Sequence, residues 1–158
     1  MADLDSVDRQ LVDLLQRQGQ TSYSDLAKAV GLAVSSVTER VRKLSERGVL
    51  LGVHGQAAPE ALGLDLLAFV FVSWSDPAVA DAFLTRIGAE PAVQEAHHVT
   101  GQWNYLLKVR VTTTRMLEAF LTNVIKGVPG IERTETLIVL SSAKETTYLP
   151  VVAPAWYG

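Results

Sequence analysis

Two histidines, a Thr-Gly pair, a tryptophan and an asparagine crowd into "HHVTGQWN", residues 97–104, directly ahead of the apolar run "YLLKV". Imidazoles can hold a metal or pass a proton, and a glycine among hydroxyl, indole and amide groups can line a pocket for a small polar molecule. A zinc site needs three or four convergent ligands. On a regular strand His97 and His98 point to opposite faces, His54 is remote in sequence, and the chain has no cysteine. No metal site is therefore expected. Gly101 between two strands fits a tight turn that requires positive φ, which accounts for it without a ligand; it also bares backbone groups that a ligand can reach. Alternation over 102–111 places Trp103, Tyr105, Leu107, Val109 and Val111 on one face and Gln102, Asn104, Leu106, Lys108 and Arg110 on the other.

A second group lies near the N-terminus. With Val34, Val37, Val41 and Leu44 as the apolar side of a helix, the opposite side carries Ser35, Ser36, Glu39, Arg40 and Lys43, flanked by Thr38 and Arg42. Small hydroxyls at the helix start allow close approach to base edges, and later Arg and Lys side chains can meet phosphates or guanine. Residues 32–55 hold four basic side chains (Arg40, Arg42, Lys43, Arg47) against two acidic ones (Glu39, Glu46), a local balance of +2 in a chain whose net charge is −3. Glu39 argues against phosphate contact unless it reads a cytosine amine. An ordinary solvated helix face explains the same pattern without nucleic acid.

The elements that must position these residues follow from two periods. From Asp5 to about Gly48 apolar residues recur at three and four: Val7, Leu11, Leu14, Leu15; Leu26, Ala27, Val30; Val34, Val37, Val41, Leu44. Asp5 and Ser22 can cap the first two helices, Gly19 lies just past the first and Gly31 closes the second. The short turn at Gly31-Leu32 makes helices two and three a helix-turn-helix. The β-prone "VLLGVHG" then gives the domain a winged-helix-like end, and "QAAPEALG" reads as a connection. Beyond it the expected order is strand (64–74), helix (78–88), strand (92–100), strand (102–111), helix (115–126) and strand (131–141): βαββαβ, a ferredoxin-like sandwich in which two helices cover one face of an antiparallel sheet. The fold class is α+β, with a DNA-binding domain at 1–52, a linker at 53–63 and a second domain at 64–158. Strands as apolar as "LDLLAFVFVSW" leave an uncovered face that predicts a dimer through the sheets.

Composition bounds the rest. Nearly half the residues are apolar, the N-terminus is acidic with no secretory pattern behind it, and the longest apolar run, "LLAFVFV", is too short to span a bilayer. A cytoplasmic protein without membrane contact is expected. No Ser-His-Asp order, phosphate loop or HExxH motif points to an enzyme, and no catalytic residue is assigned.

The whole stretch "LDSVDRQLVDLLQRQGQTSYSDLAKAVGLAVSSVTERVRKLSERGVLLGV" resembles the N-terminal domain of the Lrp/AsnC family of transcription regulators, through Leu4-Asp5-x-x-Asp8-Arg9, Leu26-Ala27, Gly31-Leu32, Arg40-Val41-x-x-Leu44 and Gly48-Val49-Leu50. "VTGQWNYLLKV" and "PGIERTETLIVLSSAKETT" are similar to the family's effector-binding domain. The resemblance implies binding to double-stranded DNA, dimers that assemble further, often to octamers, and a free amino acid or similar small molecule held between C-terminal domains; no cofactor is expected. Carried over, the family's turn gives Thr100, Gly101, Gln102, Trp103 and Asn104 as effector-binding positions, and Thr134 and Thr136 of the last strand could add hydroxyls.

Two departures stand out. Ala33 replaces the usual capping serine of the recognition helix, at a cost on the order of 1 kcal/mol unless Ser35 or Ser36 substitutes. Asn104 stands where many relatives have aspartate. A hydrogen bond to a charged group contributes roughly 1.5–3 kcal/mol and a neutral one roughly 0.5–1.5, so Asn104 is expected to hold an ammonium about tenfold less tightly. Two alternatives remain: an architectural DNA-binding protein without effector, and a siroheme decarboxylase, an enzyme of the same two-domain build. The latter carries Tyr-Asn-Leu at this hairpin, where this chain has Asn104-Tyr105-Leu106.

Overall fold

The computed structural model describes residues 4–152. It divides into two compact units, residues 4–56 with 144–152 and residues 57–143; residues 1–3 and 153–158 lie outside the described residues.

The first unit holds α1 (Ser6–Arg17), α2 (Tyr23–Val30) and α3 (Val34–Glu46). Their boundaries follow local chemistry. Asp5 accepts from the Asp8 N–H at 2.7 Å, Ser22 accepts from the Asp25 N–H at 3.1 Å, and Gly31 ends α2 at φ 69°, the left-handed conformation that lets the chain turn sharply into α3. Leu11, Val12, Leu26, Ala27, Val37, Val41 and Leu44 form the core. Val34, expected on that apolar side, is 46% exposed at the first position of α3. Ala33 provides no side-chain cap, and neither Ser35 nor Ser36 replaces it. The winged end is not formed: residues 49–56 contain no strand, since an extended segment without a partner has no ladder to join.

The second unit runs β1 (Leu66–Ser73), α4 (Val79–Gly88), β2 (Val93–His98), β3 (Tyr105–Val111), α5 (Thr114–Phe120) and β4 (Arg133–Ile138). A π turn, Leu121–Ile125, extends α5. The sheet order is β2-β3-β1-β4, antiparallel throughout, as the βαββαβ reading requires. Ala68, Val70, Val72, Leu107 and Val109 pack against Phe83, Ile87, Leu117, Phe120 and Ile125 of the helical layer. Phe69, Phe71, Leu106 and Leu137 stand on the opposite face by alternation.

The expected boundary at the C-terminus differs from the structure. Residues 144–152, assigned by sequence to the second domain, pack with the helical unit.

Candidate functional site

Helix α3 seals Val37, Val41 and Leu44 into the core and presents Ser35, Ser36, Thr38, Glu39, Arg42 and Lys43 to solvent. These side chains form a stripe on one rigid helix, but the stripe is largely committed to itself. The Thr38 hydroxyl donates to the Val34 carbonyl at 2.9 Å. Arg42 donates to Glu39 through Nε at 2.9 Å and Nη2 at 2.6 Å, and through Nη1 to Glu46; Lys43 Nζ lies 3.5 Å from Glu39. The Arg42 hydrogen bonds, then its charge and Lys43, hold the Glu39 carboxyl down at about 2.

Arg40 is placed differently from the sequence reading. Its Nη1 donates to Asp5 Oδ2 at 2.7 Å and to Asp8 Oδ1 at 2.7 Å, so it turns back to the start of α1 instead of outward with Lys43. Asp8 is 8% exposed, and a buried carboxylate needs such a partner. The Asp8 backbone N–H and then Arg40 keep the Asp5 carboxyl below its usual range. Spatially, then, the four cations Arg40, Arg42, Lys43 and Arg47 share their neighbourhood with four carboxylates, Glu39, Glu46, Asp5 and Asp8. The balance of +2 counted along the sequence falls to zero, because Asp5 and Asp8 arrive from another helix. Asp8, Ser36, Glu39, Arg40, Lys43 and Arg47 line a groove of about 370 Å³ beside α3.

In the second unit the turn between β2 and β3 is closed by Val99 N–H donating to the Asn104 carbonyl at 3.1 Å, with Gly101 at φ 103°. Thr100, Gly101 and Gln102 are exposed, and Trp103 and Asn104 half-buried. Strand alternation does not reach Trp103. The ladder begins at Tyr105, and Trp103 swings to the uncovered face, 5.6 Å from the Phe71 ring and 4.6 Å beneath the Arg133 guanidinium. Thr134 and Thr136 pair with Val72 and Val70 and so share the helix-covered face. The strand's pleat separates them from Trp103 and puts Arg133 beside it, a residue that sequence reasoning missed because only the register identifies it.

Asn104 is anchored. Its Oδ1 accepts from the Trp74 N–H at 2.8 Å, and its own N–H donates to the Val72 carbonyl at 2.9 Å. Only the amide oxygen can accept from an N–H, so the remaining polar atom, Nδ2, is a donor. The histidines separate as alternation requires: His97 pairs with Glu95 at 3.1 Å, and His98 stacks on Tyr105 at 5.1 Å. Among the described residues no three His, Cys, Asp or Glu side chains converge for a metal, and no helix is long and apolar enough to cross a membrane.

A helix-turn-helix built on these caps, followed by this sheet, decides the comparison with known proteins. Residues 4–45 match the AsnC-type helix-turn-helix domain and residues 67–149 the Lrp/AsnC ligand binding domain. The chain belongs to the Lrp/AsnC family of transcription regulators. It is 36% identical over 148 residues to the HTH-type transcriptional regulator FL11 of Pyrococcus abyssi, covering 94% of this chain and 97% of that one. It is 33% identical over 151 residues to the leucine-responsive regulatory protein of Escherichia coli K12, covering 94% and 92%. Among solved structures, the L-Met complex of a Neisseria meningitidis transcriptional regulator superposes with a TM-score of 0.89 at 26% identity, covering 94% and 97% of the chains. A feast or famine regulatory protein from Mycobacterium tuberculosis, complexed with L-methionine, superposes at 0.85 with 35% identity, covering 93% and 99%. These relatives are named as regulators, not enzymes.

Proposed function

We propose that this Lrp/AsnC protein is a cytoplasmic, sequence-specific DNA-binding regulator whose α3 enters the major groove of double-stranded DNA. The observation that carries the reading is the outward stripe of Ser35, Ser36, Thr38, Glu39, Arg42 and Lys43 on a helix whose other side is sealed in the core. Its ion-pair neutrality favours site-specific reading over an architectural role, since compaction depends on the sequence-independent attraction of cations for phosphates. At a matching site the phosphates and base edges replace Glu39 and Glu46 as partners of Arg42 and Lys43.

The second unit, in this reading, binds a free amino acid or a similar small molecule at Thr100–Asn104 between copies of the chain. The donor Nδ2 of Asn104 and the stacked Arg133 guanidinium suit a carboxylate, whereas the aspartate of many relatives suits an ammonium. Phe69, Phe71, Leu106 and Leu137 supply the apolar face for a homodimer, which assembles further toward an octamer. A footprint on the DNA upstream of the chain's own gene, with and without a panel of amino acids, tests both units: a protected site whose occupancy shifts with one amino acid is the expected outcome.

A further inference from the structure

Helix α1 makes a set of contacts that neither DNA nor effector binding uses. After β4 the chain rejoins the helical unit at Lys144 and runs without helix or strand along α1. Three anchors hold it. Tyr148 Oη donates to Asp13 Oδ1 at 2.5 Å, while Arg17 donates to the same Tyr148 oxygen at 2.9 Å and lays its guanidinium 4.8 Å from the ring centre. Gln16 and Leu149 exchange a reciprocal pair, the Gln16 Nε2 donating to the Leu149 carbonyl at 2.9 Å and the Leu149 N–H donating to Gln16 Oε1 at 2.8 Å. Arg9 donates to the Val151 carbonyl at 3.0 Å, and Val151 packs on the cluster around Leu11.

Arg9, Asp13, Gln16 and Arg17 are spaced by four, three and one, which puts them on one stripe of α1. A side-chain amide that pairs with both backbone groups of one residue captures an extended segment by its main chain, and a tyrosine seated between a carboxylate and a guanidinium adds selectivity. That is the build of a peptide-binding surface. The same helix supplies Asp5 and Asp8 to Arg40 of the recognition helix.

We infer that this stripe of α1 is a docking surface whose occupant is the chain's own segment 147–151, bound in cis, and that its occupancy stiffens α1, the helix on which α3 is braced. Arg17, then Tyr148, lower the Asp13 carboxyl, and Asp13 raises the Tyr148 phenol in turn, as expected for a pair that is made in the folded protein. The inference does not depend on the effector reading.

The absence of cysteine makes the test clean. The full-length Gln20→Cys, Leu149→Cys variant, which keeps the Gln16 amide and places its first cysteine four residues beyond it at an exposed position, treated with a short bismaleimide at low protein concentration, should link within one chain. A covalent dimer would show that the segment docks on a second copy, and no link would show that it does not dock; either overturns the inference. In parallel, full-length Tyr148→Ala should exchange its α1 amides about tenfold faster than the parent, with α4 unchanged. Equal protection of α1 in the two proteins would overturn the stiffening.

Discussion

Arg40 Nη1 donates to Asp8 Oδ1 at 2.7 Å across 32 residues of chain, so a basic residue of the recognition helix serves as the brace between α3 and α1. Its partner is nearly buried, and removing the guanidinium strands a carboxylate in the core edge. Arg40→Ala should therefore lower Tm by about 5 °C, whereas Lys43→Ala should leave it within about 1 °C and weaken DNA binding directly. Thermal unfolding of the two variants beside DNA titrations well below Tm separates the roles; equal Tm values would refute the brace.

The acid limb of stability follows from the same carboxylates. Asp5 and Asp13 titrate below their usual range and Glu39 at about 2. A depressed folded-state pKa contributes stability above the unfolded value and loses it as pH falls through the folded value. Denaturant midpoints should stay level from pH 7 to about 5 and decline from about 4.5 toward 2. Glu39→Gln should flatten part of that decline.

Glu39 should also restrain DNA binding. Because Arg42 and Lys43 are held by Glu39 before DNA arrives, Glu39→Gln should strengthen non-specific DNA binding several-fold and steepen its salt dependence. Anisotropy titrations on an unrelated duplex measure both, and an unchanged slope would count against the competition.

Much of this architecture was legible because it is local. The caps Asp5, Ser22 and Gly31 act within one turn of their helices, and the change of period after Gly48 divides helices from strands. What could not be read depended on residues distant in sequence. Arg40 looked outward because its partners lie 32 and 35 residues away. Alternation puts Trp103 on the wrong face because the ladder begins only at Tyr105. Segment 144–152 has neither helical nor strand period, so nothing in the sequence disclosed that it lies on α1.

At the turn proposed to hold the effector, Asn104→Asp keeps the oxygen that accepts from Trp74 and adds a charge. It should fold as the parent does and, having exchanged the Nδ2 donor for a charged acceptor, bind a free amino acid through its carboxylate about tenfold less tightly. Asn104→Ala should lose the turn's anchor and binding together. Calorimetry with amino acids on both variants checks the pair; unchanged affinity in the aspartate variant would place the ligand elsewhere.

The uncovered sheet face predicts association. Phe71→Arg sets a charge between Leu106 and Glu135, on the face proposed to join two copies, and should yield monomers in sedimentation velocity while leaving the core intact. Phe83→Ala, by contrast, empties a fully buried site and should cost about 3–5 kcal/mol of stability in the second unit.

The central claim is that α3 reads DNA, and an affinity measurement on the chain's own upstream duplex tests it most directly. Titration at about 50 and 200 mM salt should give specific binding that weakens steeply with salt and exceeds binding to a scrambled duplex by at least about a thousandfold. Equal affinity for the two duplexes, or no binding at the lower salt, would contradict it.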